Sequence, residues 1–136
     1  MVANGIAADS KYLYVAGNGP LGNTGGGPQR EGIYRFDRAN LSAPPTQIAS
    51  YRVVGSSPNH VGLVLDDIAN PGFLYGRDIN GDIHVIINPA GAAEYAGVIS
   101  TLGTSLDRGL TYDPVNPVIY FIESQSNPNG RLVRLE

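Results

Sequence analysis

The sequence predicts an all-β fold of about three four-stranded antiparallel units. Three observations point to it. The 136 residues include 18 Gly and 10 Pro, and no window sustains a helical period. The apolar runs last roughly four to seven residues, the length of ordinary strands. They are punctuated by turn dipeptides such as Asn80-Gly81, Asp113-Pro114 and Asn116-Pro117. Finally, the chain repeats itself. Hydrophobic residues reach 42%, enough for a core, so a disordered tail is excluded. Charged residues are only 15%, against roughly 25% in globular domains, which excludes a coiled coil.

The repeat has two registers. In the first, Gly5-Ile-Ala-Ala-Asp9 with Tyr12-Leu-Tyr14 aligns with Gly62-Leu-Val-Leu-Asp66 with Phe73-Leu-Tyr75. Both align with Gly109-Leu-Thr-Tyr-Asp113 with Val118-Ile-Tyr120. In the second, Ile33-Tyr-Arg35-Phe36 aligns with Ile83-His84-Val85-Ile86 and with Leu132-Val-Arg134-Leu135. A fourth segment follows the first two units, Thr46–Tyr51 and Ala93–Ile99, and the third unit stops before it. The units run over approximately 1–55, 56–102 and 103–136. Each reads as four short strands joined by turns, the pattern of a β-propeller blade. Apolar residues on both faces of Tyr12–Ala16 and Phe73–Tyr75 fit strands covered on both sides.

The pattern Gly-aliphatic-x-x-Asp followed by Leu/Ile-Tyr resembles blades of the six-bladed NHL, YWTD and gluconolactonase-like group. The likeness spans nearly the whole chain at the level of single repeats, without the Tyr-Trp-Thr-Asp motif and without any Trp. It implies a propeller architecture and no particular activity. Three blades do not close a ring, since propellers have four to eight. Closure then requires self-association or additional blades from a longer chain. A three-sheet prism or a small barrel is the competing architecture.

Composition also bounds function. There is no Cys, hence no disulfide, thiolate zinc site or cysteine nucleophile. Net charge is −3, and the eight Arg and single Lys are dispersed, unlike a nucleic-acid footprint. No apolar run reaches the ~20 residues of a membrane-spanning helix. No signal peptide is visible at the N-terminus, although the Cys-free, Lys-poor, Asn/Gly/Ser-rich composition suggests an extracellular or cell-surface setting.

Candidate ligand-binding residues come from the starts of the innermost strands and from the loops on the same side. They are Asn4, Asn59, His60, Asp78, Asp107 and Arg108, with Arg77, Gly17–Glu31 and Glu123–Asn129 in the other loops of that side. Gluconolactonase-like enzymes hold a divalent cation with carboxylate and Asn ligands in this kind of location, so the resemblance admits calcium. The six to eight oxygens calcium prefers exceed what three units offer here. No metal and no other cofactor is therefore assigned.

No catalytic residue is assigned either, since no Ser sits in a Gly-x-Ser-x-Gly turn. Asp78–Asp82 fails the calcium-loop spacing and reads as a hairpin. Asp9, Asp66 and Asp113 recur in every unit, which points to turns in which the carboxylate accepts backbone N–H groups. His84 aligns with packed positions and reads as structural. Arg35 and Arg134 read as stems covering a sheet face, with heads reaching an acidic neighbour or solvent. The leading functional expectation is a non-catalytic module binding a protein or glycan through its loop side. The alternatives are a metal-dependent lactonase-type hydrolase and a structural subunit that assembles through open blade faces.

Overall fold

A computed structural model describes residues 3–18, 31–50, 60–69, 71–78, 82–99, 110–123 and 131–135. These residues form β-strands and turns, with no helix among them. In chain order the strands are β1 (Ala3–Ala8), β2 (Tyr12–Asn18), β3 (Glu31–Asp37), β4 (Thr46–Ser50), β5 (His60–Asp66) and β6 (Phe73–Asp78). They continue as β7 (Ile83–Ile87), β8 (Glu94–Ile99), β9 (Leu110–Asp113), β10 (Val118–Glu123) and β11 (Arg131–Leu135). Among the described residues no helix is long and apolar enough to cross a membrane.

The strands make three antiparallel sheets, ordered β1-β2-β3-β4, β5-β6-β7-β8 and β9-β10-β11. Each is a meander in which consecutive strands pair. The third sheet has three strands among the described residues. The Asp113–Val118 turn joins β9 to β10 where the two X-Pro dipeptides stand. The Asn80-Gly81 turn lies outside the described residues, although β6 and β7 pair up to Arg77 and Ile83 on either side of it.

The sheets pack face to face. β1 lies along β5, and β5 along β9. The repeat glycines make this approach possible. A Cβ on Gly5 would lie 3.0 Å from the carbonyl carbon of Gly62 and 3.1 Å from the amide nitrogen of Leu63. A Cβ on Gly62 would lie 3.0 Å from the Cβ of Leu110. These distances are tighter than nearly all real Cβ contacts, so β1 and β5 favour glycine where the next sheet touches them.

The core is correspondingly divided. Between the first and second sheets Tyr14, Ala16, Ile33 and Ala49 meet Leu63, Leu74 and Ile86. Between the second and third, Ile83 and Tyr75 meet Ile119, Phe121, Leu110, Tyr112 and Leu135. The alternation of strand side chains explains the split. Leu74 points to one neighbour and Tyr75 to the other, so the middle sheet is covered on both faces.

Arg35 departs from expectation. Its Nη1 donates to the carbonyls of Pro89 (2.8 Å) and Gly91 (2.9 Å), and its guanidinium lies 4.8 Å from the centroid of the Tyr12 ring. The head therefore latches the turn of the adjacent sheet rather than an acidic side chain. Carbonyls left over by a turn accept from a cation as a carboxylate would, without a second buried charge. At the outer edge of the second sheet, β8 is largely exposed and carries a bulge opposite Val85 and Ile86. Gly97 beside the bulge has φ +108, a conformation that L side chains rarely adopt.

Candidate functional site

The register fixes which residues share an end of the stack. Ala3 pairs with Gly17 and Asn18 with Glu31. His60 pairs with Asp78 and Glu123 with Arg131. The starts of β1, β5 and β11 and the ends of β2, β6 and β10 therefore lie at one end. Among the residues expected from sequence, this placement brings Asn4, His60 and Asp78 to that end, with β1 and β5 side by side. A bulge interrupts β1 between Ala3 and Gly5, and another interrupts β5 between His60 and Gly62. The two bulges occupy the same repeat position, one residue before the close-packed glycine. Such bulges re-aim the residues that follow a strand start. They keep the sequence alignment, with Ala3 standing where His60 does and Asn4 where Val61 does.

Asn59, Asp107 and Arg108 lie outside the described residues, as do 19–30 and 124–129 of the expected loops. Arg77 and Asp78 are not in a loop. They are the last two residues of β6. Arg77 is 1% exposed, and its guanidinium sits 4.6 Å from the centroid of the Phe121 ring in the third sheet. Alternation along β6 carries it to the same face as Tyr75, between two sheets, where an aromatic face offers a cation favourable contact. Sequence reasoning missed this role because Phe121 is distant in the chain and belongs to another unit.

The opposite end of the stack carries the repeat aspartates. Asp9 Oδ1 accepts from the backbone N–H groups of Lys11 (2.7 Å) and Tyr12 (2.6 Å). Asp66 Oδ1 accepts from Ile68 and Ala69 (3.1 Å each). Asp113 Oδ1 accepts from Val115 (2.9 Å) and Asn116 (3.3 Å). All three are the turn-forming carboxylates the repeat implies. The second oxygen differs in each unit. In Asp9 it accepts from Tyr14 Oη of the same sheet (2.7 Å), and in Asp66 from Tyr112 Oη of the next sheet (2.7 Å). In Asp113 it accepts from Asn116 Nδ2 (3.1 Å).

These contacts set the ionisation of the site. Burial works against the Asp9 carboxylate, but the hydrogen bonds from Tyr14, Tyr12 and Lys11 and the charge of Arg38 together hold its pKa below 3.8. The Asn116 side chain, with the Val115 and Asn116 amides, holds Asp113 below the same value. Both carboxylates thus favour the fold above their ordinary pKa, and that contribution is lost as pH falls through their lowered values.

The tyrosines move the other way. Burial, then the Asp66 hydrogen bond and charge, push Tyr112 up to about 12. Burial and the Asp9 contact raise Tyr14, and burial with the Asp66 charge raises Tyr75. A raised tyrosine pKa supports the fold fully below pH 10, and that support fades as pH climbs through the folded value. Near-ultraviolet tyrosinate absorbance should therefore show Tyr14, Tyr75 and Tyr112 holding their protons past pH 10. Tyr112→Phe should remove one late-titrating group. Ionisation of every tyrosine in one step near pH 10 would count against these contacts.

His84 is 3% exposed, its Nδ1 lies 2.8 Å from Tyr95 Oη, and the two rings stack at 5.9 Å. It is a packed strand residue, as its repeat position implied. Among the described residues no three His, Asp or Glu side chains gather into a group able to hold a metal ion. No family model matches the chain. No curated protein and no solved structure matches it either.

Proposed function

We propose that the three sheets are blades of a β-propeller-type module that is non-catalytic and engages a protein or a glycan through the end bearing Asn4, His60 and Asp78. The observation that carries the reading is the side-by-side run of β1, β5 and β9, locked at Gly5 and Gly62. Residues at successive strand starts are thereby held at one end of a stacked scaffold, the kind of placement recognition surfaces use. The repeat aspartates at the other end form turns in every unit, which favours a structural role for them. The setting we propose is extracellular or cell-surface, on the composition.

Binding should be sought on a glycan array and by cross-linking to secreted proteins. The expected result is a ligand whose capture drops at least tenfold in His60→Ala/Asp78→Ala, with the thermal midpoint unchanged. Capture indifferent to both substitutions would overturn the placement. Calcium-dependent lactone hydrolysis, lost in the same variant, would overturn the non-catalytic reading in favour of a lactonase-type enzyme.

A further inference from the structure

The repeat shows where the third sheet differs from the other two. In the first sheet β3 has β2 on one side and β4 on the other. In the second, β7 lies in the same way between β6 and β8. β11 is the equivalent strand of the third sheet, and among the described residues it pairs with β10 alone. Its outer edge therefore presents backbone N–H and C=O groups where β3 and β7 each hold a fourth strand.

A second difference lies on the neighbouring sheet. Ala49 of β4 stands opposite Ile33, and Ile99 of β8 stands opposite Ile83 at the same repeat position. Ala49 is 6% exposed, because the second sheet, with β8 beside β4, covers the face that carries it. Ile99 is the larger side chain, yet it is 39% exposed. It shares the face of Ile83, which packs against the third sheet. A fourth strand on β11 would lie beside β8 as β8 lies beside β4, and it would cover Ile99. The open edge and the uncovered side chain border one slot, seen from two sheets.

We propose that β11 is a strand acceptor, which takes an extended peptide segment of another protein as the antiparallel fourth strand of the third sheet. The commitment to a strand rests on continuity, since both equivalent positions within the chain are filled by strands. The same comparison gives the chemistry of the segment. Tyr95 and Val98 of β8 stand opposite Ile86 and His84, on the face turned toward the first sheet. In β11 the equivalents of Ile86 and His84 are Leu135 and Val133. The incoming segment carries an aromatic residue opposite Leu135 and a β-branched one opposite Val133, both leaning on β8. Backbone hydrogen bonds to β11 supply the affinity common to every such strand, and these two side chains supply the selectivity. Two β11 strands paired with each other would gather the Arg131 and Arg134 positions of both copies on one seam, which disfavours a second copy as the donor. This edge is separate from the end bearing Asn4, His60 and Asp78, so either contact can fail without the other.

The probe is a fluorescent synthetic peptide with the sequence of residues 92–100, which contains the fourth strand of the second unit. Titrated against the whole chain, it is expected to bind saturably in fluorescence anisotropy. Hydrogen exchange should slow at the β11 amides that face away from β10. Two further peptides, N-methylated on one or the other alternate set of amides, should differ in affinity at least tenfold, because only one set faces β11. Ile99→Asp in the protein, with an unchanged circular dichroism spectrum, should weaken the unmodified peptide at least tenfold. Absence of saturable binding, equal binding of the two N-methylated peptides, or indifference to Ile99→Asp would overturn the proposal. Outward β11 amides that already exchange slowly without peptide would overturn it too. In that case sedimentation at two-chain mass would make a second copy the occupant, and single-chain mass a segment of this chain.

Discussion

Gly5→Val is expected to destabilise the fold by about 3 kcal/mol, the upper end of what overpacking costs in a well-packed interior. The new Cβ would sit 3.0 Å from the Gly62 carbonyl carbon and 3.1 Å from the Leu63 amide nitrogen. Both are backbone atoms, so no side-chain rotation relieves the contact. The remedy is to move β5, but β5 is paired to β6 and its Gly62 is itself set against Leu110. The strain is therefore shared by all three sheets. Total stabilities of small domains are about 5–15 kcal/mol, so the loss is a large share. Urea unfolding followed by circular dichroism should show the midpoint fall. Ile6→Val on the same strand, with its side chain on the exposed face, should leave it nearly unchanged. A Gly5→Val midpoint equal to that of the wild type would show that β1 and β5 do not approach this closely.

Asp66→Ala should cost about 3 kcal/mol as well, by a different route. Asp66 is 7% exposed and accepts from Ile68 N–H, Ala69 N–H and Tyr112 Oη. Alanine leaves three donors without their acceptor, and an unsatisfied buried polar group costs about 1–3 kcal/mol. The loss also spans two sheets, since the Tyr112 hydroxyl comes from β9. Adding Tyr112→Phe to Asp66→Ala should then cost little more, because the shared hydrogen bond is already gone. Fully additive losses in that double-mutant cycle would mean the hydroxyl and the carboxylate do not interact. Asp113→Ala, at an exposed turn, should cost visibly less than Asp66→Ala.

What the sequence disclosed and what it hid divide along the range of the interaction. Strand positions and their sheet membership were legible, because the Gly-to-Asp and Leu-Tyr registers mark the strands and repeat from unit to unit. The turn role of the three aspartates was legible for the same reason, since Asx turns are local. Partners from the adjacent sheet were not. Nothing near Arg35 names Pro89 and Gly91, and nothing near Asp66 names Tyr112. Arg77 was misplaced because its Arg-Asp dipeptide looked like loop, whereas the strand runs through it to the His60–Asp78 pair. The end of the stack bearing Asn4, His60 and Asp78 was only partly legible. Asn4, His60 and Asp78 share an end by register, but the bulges beside Asn4 and Val61 leave no mark in residue type.

The division of the core into two separate clusters has an energetic consequence. Each cluster belongs to a pair of sheets, so stability resides in nearest-neighbour interfaces, in the manner of a one-dimensional array. Among the described residues the middle sheet takes part in both clusters, whereas each flanking sheet takes part in one. Local opening should therefore proceed inward from the flanks, with β5, β6 and β7 the last to surrender their hydrogen bonds. Adding one more like sheet at either flank would raise the cooperativity of the whole array, because a flanking sheet would then become an interior one.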